Sequence, residues 1–193
     1  MKVTLNIPEG MHDITIVKYR QLQKAIEAET SDINKVCAAV ACLCDVEEWV
    51  IKGMSQKAFE EVRNDLDWAM NPVEKWPLIP TTIIDGVEYG IIPDLTDISV
   101  GEFADLDKLV QDGKTFDNLE KVMAIIYRPI TDRWKDYYDI EPYNPKPKHA
   151  EIMKNMTMNV ALGAVVFFWR IGEMLATGSA PYSGMRKRVK LTR

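Results

Sequence analysis

His12 and His149 are the chain's two imidazoles, the side chains whose charge changes nearest neutral pH. A histidine serves as a general base when a nucleophile and an orienting group stand within hydrogen-bond reach. Neither has such companions at a recognisable spacing. His12 precedes a capped helix and His149 opens one, which suits surface or capping roles. Cys37, Cys42 and Cys44 include a C-x-C pair, and thiolates at such spacing can hold a metal. The imidazoles that would complete a site are distant in sequence. An odd number of cysteines in one Ala-rich segment reads instead as buried thiols in a reducing compartment. Asp65 with Asp67, and Asp105 with Asp107, stand at i,i+2, which points them apart on a helix. No Gly-x-Gly-x-x-Gly or phosphate loop is present. No catalytic residue, cofactor or metal is therefore expected, and the chain is read as a non-enzyme.

The remaining chemistry is that of recognition. Trp134 stands close to Arg133, Tyr137 and Tyr138, a mixture able to stack on nucleobases. Asp132, Asp136 and Asp139 beside it favour a protein-facing or half-buried surface instead. Arg186, Lys187, Arg188, Lys190 and Arg193 make the last eight residues strongly basic, although the whole chain carries a net charge of −5. An acidic chain does not wrap DNA with its whole surface. The basic run reads as a solubilising tail, with contact to nucleic acid or an acidic partner as the alternative. Partner binding is thus assigned to Arg128, Trp134, Tyr137, Tyr138, Arg186, Lys187 and Arg188. The ten methionines suit an adaptable core or groove.

These residues need a scaffold, and its centre is residues 81–110. Asp85-Gly86 between two β-rich runs predicts a two-residue hairpin turn, since both positions tolerate positive φ. Val87, Tyr89 and Ile91 fall on one strand face and Glu88 on the other, and Pro93 ends the strand. Ser99 and Glu102 form a capping box. Val100, Phe103, Leu106, Leu109 and Val110 then predict an inward stripe, with Glu102, Asp105 and Asp107 exposed. Elsewhere the patterning predicts a short strand over residues 3–7 and helices over 13–29, 33–43 and 55–70. Further helices are predicted over 118–127 and 130–138, with a break at Arg128-Pro129. A Pro-rich exposed loop spans 141–148, and one long helix covers 148–176. Residues 160–169 are the most apolar run, far short of the roughly 20 residues that span a bilayer. A buried central helix is the reading, with no membrane segment. No apolar leader is visible in MKVTLNIPEG.

The fold class predicted is mostly α with a small hairpin or sheet: a helical bundle of two pseudo-repeated halves around a long C-terminal helix. Ile7-Pro8-Glu9, Asp13-Ile14 and Tyr19 resemble Ile92-Pro93-Asp94, Asp97-Ile98 and Phe103, and Asp13 and Asp97 lie 84 residues apart. Lys35-Val36-Cys37-Ala38 likewise resembles Lys121-Val122-Met123-Ala124. The implied layout is an N-terminal helical half over 1–80, the hairpin and C-terminal helical half over 81–178, and a flexible basic tail over 179–193.

The run that begins at Asp85, DGVEYGIIPDLTDISVGEFADLDKL, followed by NLEKVMAIIYRPI and DIEPY, resembles a family of small proteins of tailed bacteriophages, of the crAss-like and marine kinds. The matching positions are Pro93, Asp94, Leu95, Ile98, Ser99, Gly101 and Glu102, then Ile126, Tyr127, Arg128 and Pro129. The resemblance extends over about a third of the chain. It implies a role in virion morphogenesis, similar to that of tail assembly chaperones, with other phage structural or tail proteins as partners. It implies the host cytoplasm during assembly as the location. The alternative it implies is a virion component, either structural or an internal cargo protein ejected with the genome. A homo-oligomer and nucleic-acid contact through the basic tail are the further partner expectations.

Overall fold

The computed structural model describes residues 4–70, 76–93, 98–110, 115–135 and 137–176, with side chains left aside at Met70 and from Arg170 onward. Among these residues the chain is mixed, with nine helices and one four-stranded antiparallel sheet. It divides into two compact units. The first is residues 1–76 with 157–159, and the second is 77–156 with 160–193.

The first unit opens with α1 (Ile16–Glu27), whose N-cap Thr15 accepts from the Lys18 N–H. α2 (Asp32–Leu43) buries Cys37, Ala38, Ala39, Val40, Ala41 and Leu43, and its small side chains let α1 pack closely on it. α3 (Glu48–Lys52), α4 (Gln56–Asp65) and α5 (Asp67–Met70) follow. Ser55 caps α4 by accepting from the Ala58 N–H. The helix predicted over 55–70 is interrupted at Leu66, which is fully buried. Residues 4–7 are not in a strand, which corrects that expectation. Among the described residues, the strand-like contact of this unit is the isolated bridge Thr15–Thr157. The Met158 and Asn159 N–H groups donate to the Ile14 and Met11 carbonyls at 2.7 and 3.2 Å.

In the second unit, β1 (Thr81–Ile84) and β2 (Val87–Ile91) form the expected hairpin. Asp85 and Gly86 both have positive φ, 50° and 79°, as a two-residue turn of this twist requires. β3 (Tyr127–Trp134) adds to β2, and β4 (Tyr137–Ile140) adds to β3. The helix predicted over 130–138 is therefore corrected to two strands. Register places Tyr89 opposite Pro129 and Ile91 opposite Tyr127. The face carrying Ile84, Tyr89, Ile91 and Tyr127 is buried.

Two helices and a divided third complete the described part of this unit. α6 (Val100–Val110) carries the predicted capping box. The Glu102 N–H donates to Ser99 Oγ at 3.2 Å, and the Ser99 N–H donates to Glu102 Oε2 at 2.7 Å. The predicted inward stripe is corrected: Val100 is 86% exposed and Phe103 61%, whereas Glu102 is 4% exposed. α7 (Leu119–Ile126) buries Leu119, Val122, Met123, Ile125 and Ile126. The single helix predicted over 148–176 is two, α8 (Pro147–Met153) and α9 (Met158–Ala176). At the break, the Asn155 amide donates to both carboxylate oxygens of Asp85, at 3.0 and 3.2 Å. Within this unit, Gly163 lets α9 approach the backbone at Pro77, where a Cβ would stand 2.3 Å from the carbonyl oxygen. No helix among the described residues is long and apolar enough to cross a membrane.

Candidate functional site

β2 pairs with β3 only from Tyr127 to Pro129, so β3 beyond that point and β4 form a two-stranded arm. The register shifts between Ile130 and Asp132. Such a bulge inserts one residue and re-aims every side chain after it. Without it, Trp134 would share a face with Ile130. With it, Arg133 and Tyr138 form one cross-strand pair on the inner face, and Trp134 and Tyr137 form the next pair on the outer face.

The inner face rests on the first hairpin. The Tyr138 ring covers Gly90, where a Cβ would stand 2.3 Å from a ring carbon. Its hydroxyl donates to the Ile91 carbonyl at 2.9 Å and the Pro80 carbonyl at 3.2 Å. Burial pushes this phenol up to about 12, with the Arg133 guanidinium pulling the other way. Arg133 is 5.9 Å from the Tyr138 ring centroid and pairs with Glu88. The arm is thus held by one aromatic contact, two hydroxyl bonds and an ion pair.

The outer face is open. Trp134 is 56% exposed and Tyr137 62%. Next to them, Asp132 and Asp139 stand directly opposite each other, and both are exposed. The turn residue Lys135 has φ 49°, a region uncommon for any residue that carries a Cβ. Exposed aromatics, opposed like charges and a left-handed lysine all cost stability. Among the described residues these features lie together on one surface.

Arg128 lies at the root of the arm and is buried. Its Nη1 is 2.7 Å from Glu102 Oε1, with both side chains at least nine-tenths buried. That contact lies off the line of a hydrogen bond, and among the described residues Arg128 Nε has no hydrogen-bond partner. The guanidinium stands 6.0 Å from the centroid of the Tyr143 ring. Tyr143 donates its hydroxyl to Asp105, and burial together with that carboxylate holds its phenol above the ordinary range. This cluster fastens α6 to the sheet. Arg128 is therefore placed to position the arm, not to touch a partner.

The structure separates the residues assigned to binding. Trp134 and Tyr137 come together outside, Tyr138 turns inward and Arg128 is buried. Arg186, Lys187 and Arg188 lie outside the described residues. The sequence reading missed Gly90 and Glu102 as supports of the arm. The adjacency of a capping-box glutamate to a buried arginine had no local signal, and neither did the ring over Gly90.

The other candidate groups do not converge. His12 is exposed and 3.7 Å from Asp13, and the His149 N–H donates to the Lys146 carbonyl within a helix start. The three thiols are unpaired, and burial pushes each of them up, which suppresses thiolate reactivity. No group of three or more metal-ligating side chains occurs among the described residues. An open cleft of about 680 Å³ in the first unit is lined by Glu9, Asp13, Thr15, Lys18 and Asp45, among others. Its lysine is already paired with Asp45. Comparison with family models, curated proteins and solved structures finds no match to this chain.

Proposed function

We propose that the chain acts by binding another protein during assembly of a tailed-phage virion, and that it catalyses no reaction. The observation that carries the binding reading is the exposed Trp134–Tyr137 pair on the outer face of an arm whose inner face is fixed. Rigid, partly exposed aromatics are the usual anchors of protein interfaces. The phage context rests on the resemblance of residues 83–143. The alternative within that context is a virion component, and the same experiment separates the two.

The test is affinity purification of the tagged chain from infected cells, beside mass spectrometry of purified virions. A chaperone-like role predicts a phage structural or tail protein recovered with the wild type, lost with Trp134→Ala/Tyr137→Ala, and the chain missing from virions. Presence of the chain in virions at stoichiometric levels selects the component reading. Equal recovery with the double variant refutes the arm as the docking surface.

The halves are further proposed to be copies of one building block arranged as a helical bundle around the C-terminal helix. The caps support this. Thr15 and Ser99 lie 84 residues apart, and each accepts from the N–H three residues on. α1 begins at Ile16 and α6 at Val100, the same separation. Their buried faces differ, since α1 buries Ile16 and Leu22 while α6 buries Glu102. Failure of α1–α2 and α6–α7 to superimpose refutes the duplication.

A further inference from the structure

The outer face of the arm carries two opposed carboxylates. Asp132 and Asp139 are cross-strand neighbours, a placement that destabilises a sheet when both are ionised. Asp132 Oδ1 accepts from the Arg133 N–H at 2.8 Å, and among the described residues neither carboxylate has an ion-pair partner. The arm's own arginine is turned to the other side, against Glu88 and Tyr138. Beside the carboxylates lie the open faces of Trp134 and Tyr137. Paired carboxylates next to an exposed indole complement a Lys or Arg side chain, through a charge-assisted contact and a cation–π contact at once.

We propose that the chain's own basic run, Arg186, Lys187, Arg188 and Lys190, docks intramolecularly on this face. Its cations would seat against Asp132 and Asp139 and over Trp134. Residues 177–193 contain five basic residues and no acidic one. The ten residues from Ala176 to Arg186 reach on the order of 33 Å when extended. A compact unit of about 100 residues has a radius of gyration of about 13 Å, so that reach is comparable to its diameter. Tethering sets an effective concentration of about a millimolar, at which several individually weak exposed ion pairs act together. This inference rests on the reading of the arm as a docking surface and adds its regulation: the basic run occupies the face until a partner displaces it.

The test is carbodiimide cross-linking of the full-length chain, followed by peptide mapping. The reagent activates a carboxylate, a lysine amine attacks, and an amide forms as the reagent leaves as its urea. Links from Asp132 or Asp139 to Lys187 or Lys190 are expected, within one molecule and with a yield unchanged on dilution. The yield should fall several-fold in high salt and in Arg186→Glu/Arg188→Glu, which alters no described residue. Links from Lys187 and Lys190 spread evenly over other exposed carboxylates such as Glu61 and Asp65 overturn the proposal. So do links found only between molecules, which assign the face to a second copy. Cross-links present while partner recovery ignores Trp134→Ala/Tyr137→Ala refute the docking function and leave this contact standing. The reverse pattern refutes the contact alone.

Discussion

Replacing Glu102 with Gln tests how the arm is rooted. The substitution keeps the side chain's shape and leaves an amide oxygen for the Ser99 N–H, so the capping box survives. What it removes is the charge facing Arg128. Side-chain exposure is 8% for Arg128 and 5% for Glu102, so solvent cannot replace the lost partner. Removing one member of a buried pair costs about 3–5 kcal/mol, because the other is left as an uncompensated charge. Arg128 Nε has no hydrogen-bond partner among the described residues, and the Tyr143 ring at 6.0 Å offsets only part of that loss. Glu102→Gln should therefore cost about 3 kcal/mol. Arg128→Met together with Glu102→Gln should cost well below the sum of the two single changes, with a coupling of about 2 kcal/mol. Urea unfolding followed by circular dichroism on the wild type, both singles and the double provides the cycle. A cost for Glu102→Gln under about 0.5 kcal/mol, the range of an exposed pair, or strict additivity, refutes the buried-clamp account.

Gly90→Ala should displace the Tyr138 ring and its two hydroxyl bonds, costing about 2–3 kcal/mol; an unchanged unfolding midpoint contradicts the ring-over-glycine packing. Gly163→Ala places a Cβ 2.3 Å from the Pro77 carbonyl oxygen and should cost about 1–3 kcal/mol by overpacking, read from the same denaturation curve. Burial holds the Tyr127 and Tyr138 phenols above their ordinary value of 10.0. Unfolded phenols ionise first as pH rises, so their contribution to stability should be constant below pH 10 and fall above it, through about 12 for Tyr138, on top of the loss that the raised thiols begin near their ordinary value of 9.0. Tyr127→Phe should lessen that fall in denaturation measured across the window, and a stability independent of pH there contradicts the assignment.

Local chemistry made some of the structure legible. The Asp85-Gly86 turn and the Ser99–Glu102 box involve residues within four positions of one another. α2 and α7 were readable because each carries an unbroken apolar run, residues 36–43 and 122–127. The β3–β4 arm was not, because Ile130, Trp134, Tyr137 and Tyr138 also fit a helical stripe. Pairing with β2, a long-range event, decided for strands. α6 was readable as a helix but not in its rotation. Its orientation follows from the tie between Glu102 and Arg128, which turns Val100 and Phe103 outward. The break before α9 shows only in the burial. Met156 and Met158 are both fully buried, yet residues at i,i+2 cannot share a face of one helix. The site was half legible: its aromatic residues were identified, but the bulge that divides them into inner and outer pairs was not.

The most direct measurement of the central claim is binding of whichever protein affinity purification recovers to the wild type and to Trp134→Ala/Tyr137→Ala, with unfolding curves for both. The account predicts binding weakened about 1,000-fold, the order expected when two interface anchors of about 2 kcal/mol each are removed together, with stability within about 0.5 kcal/mol of wild type. Equal affinity in a folded double variant contradicts it.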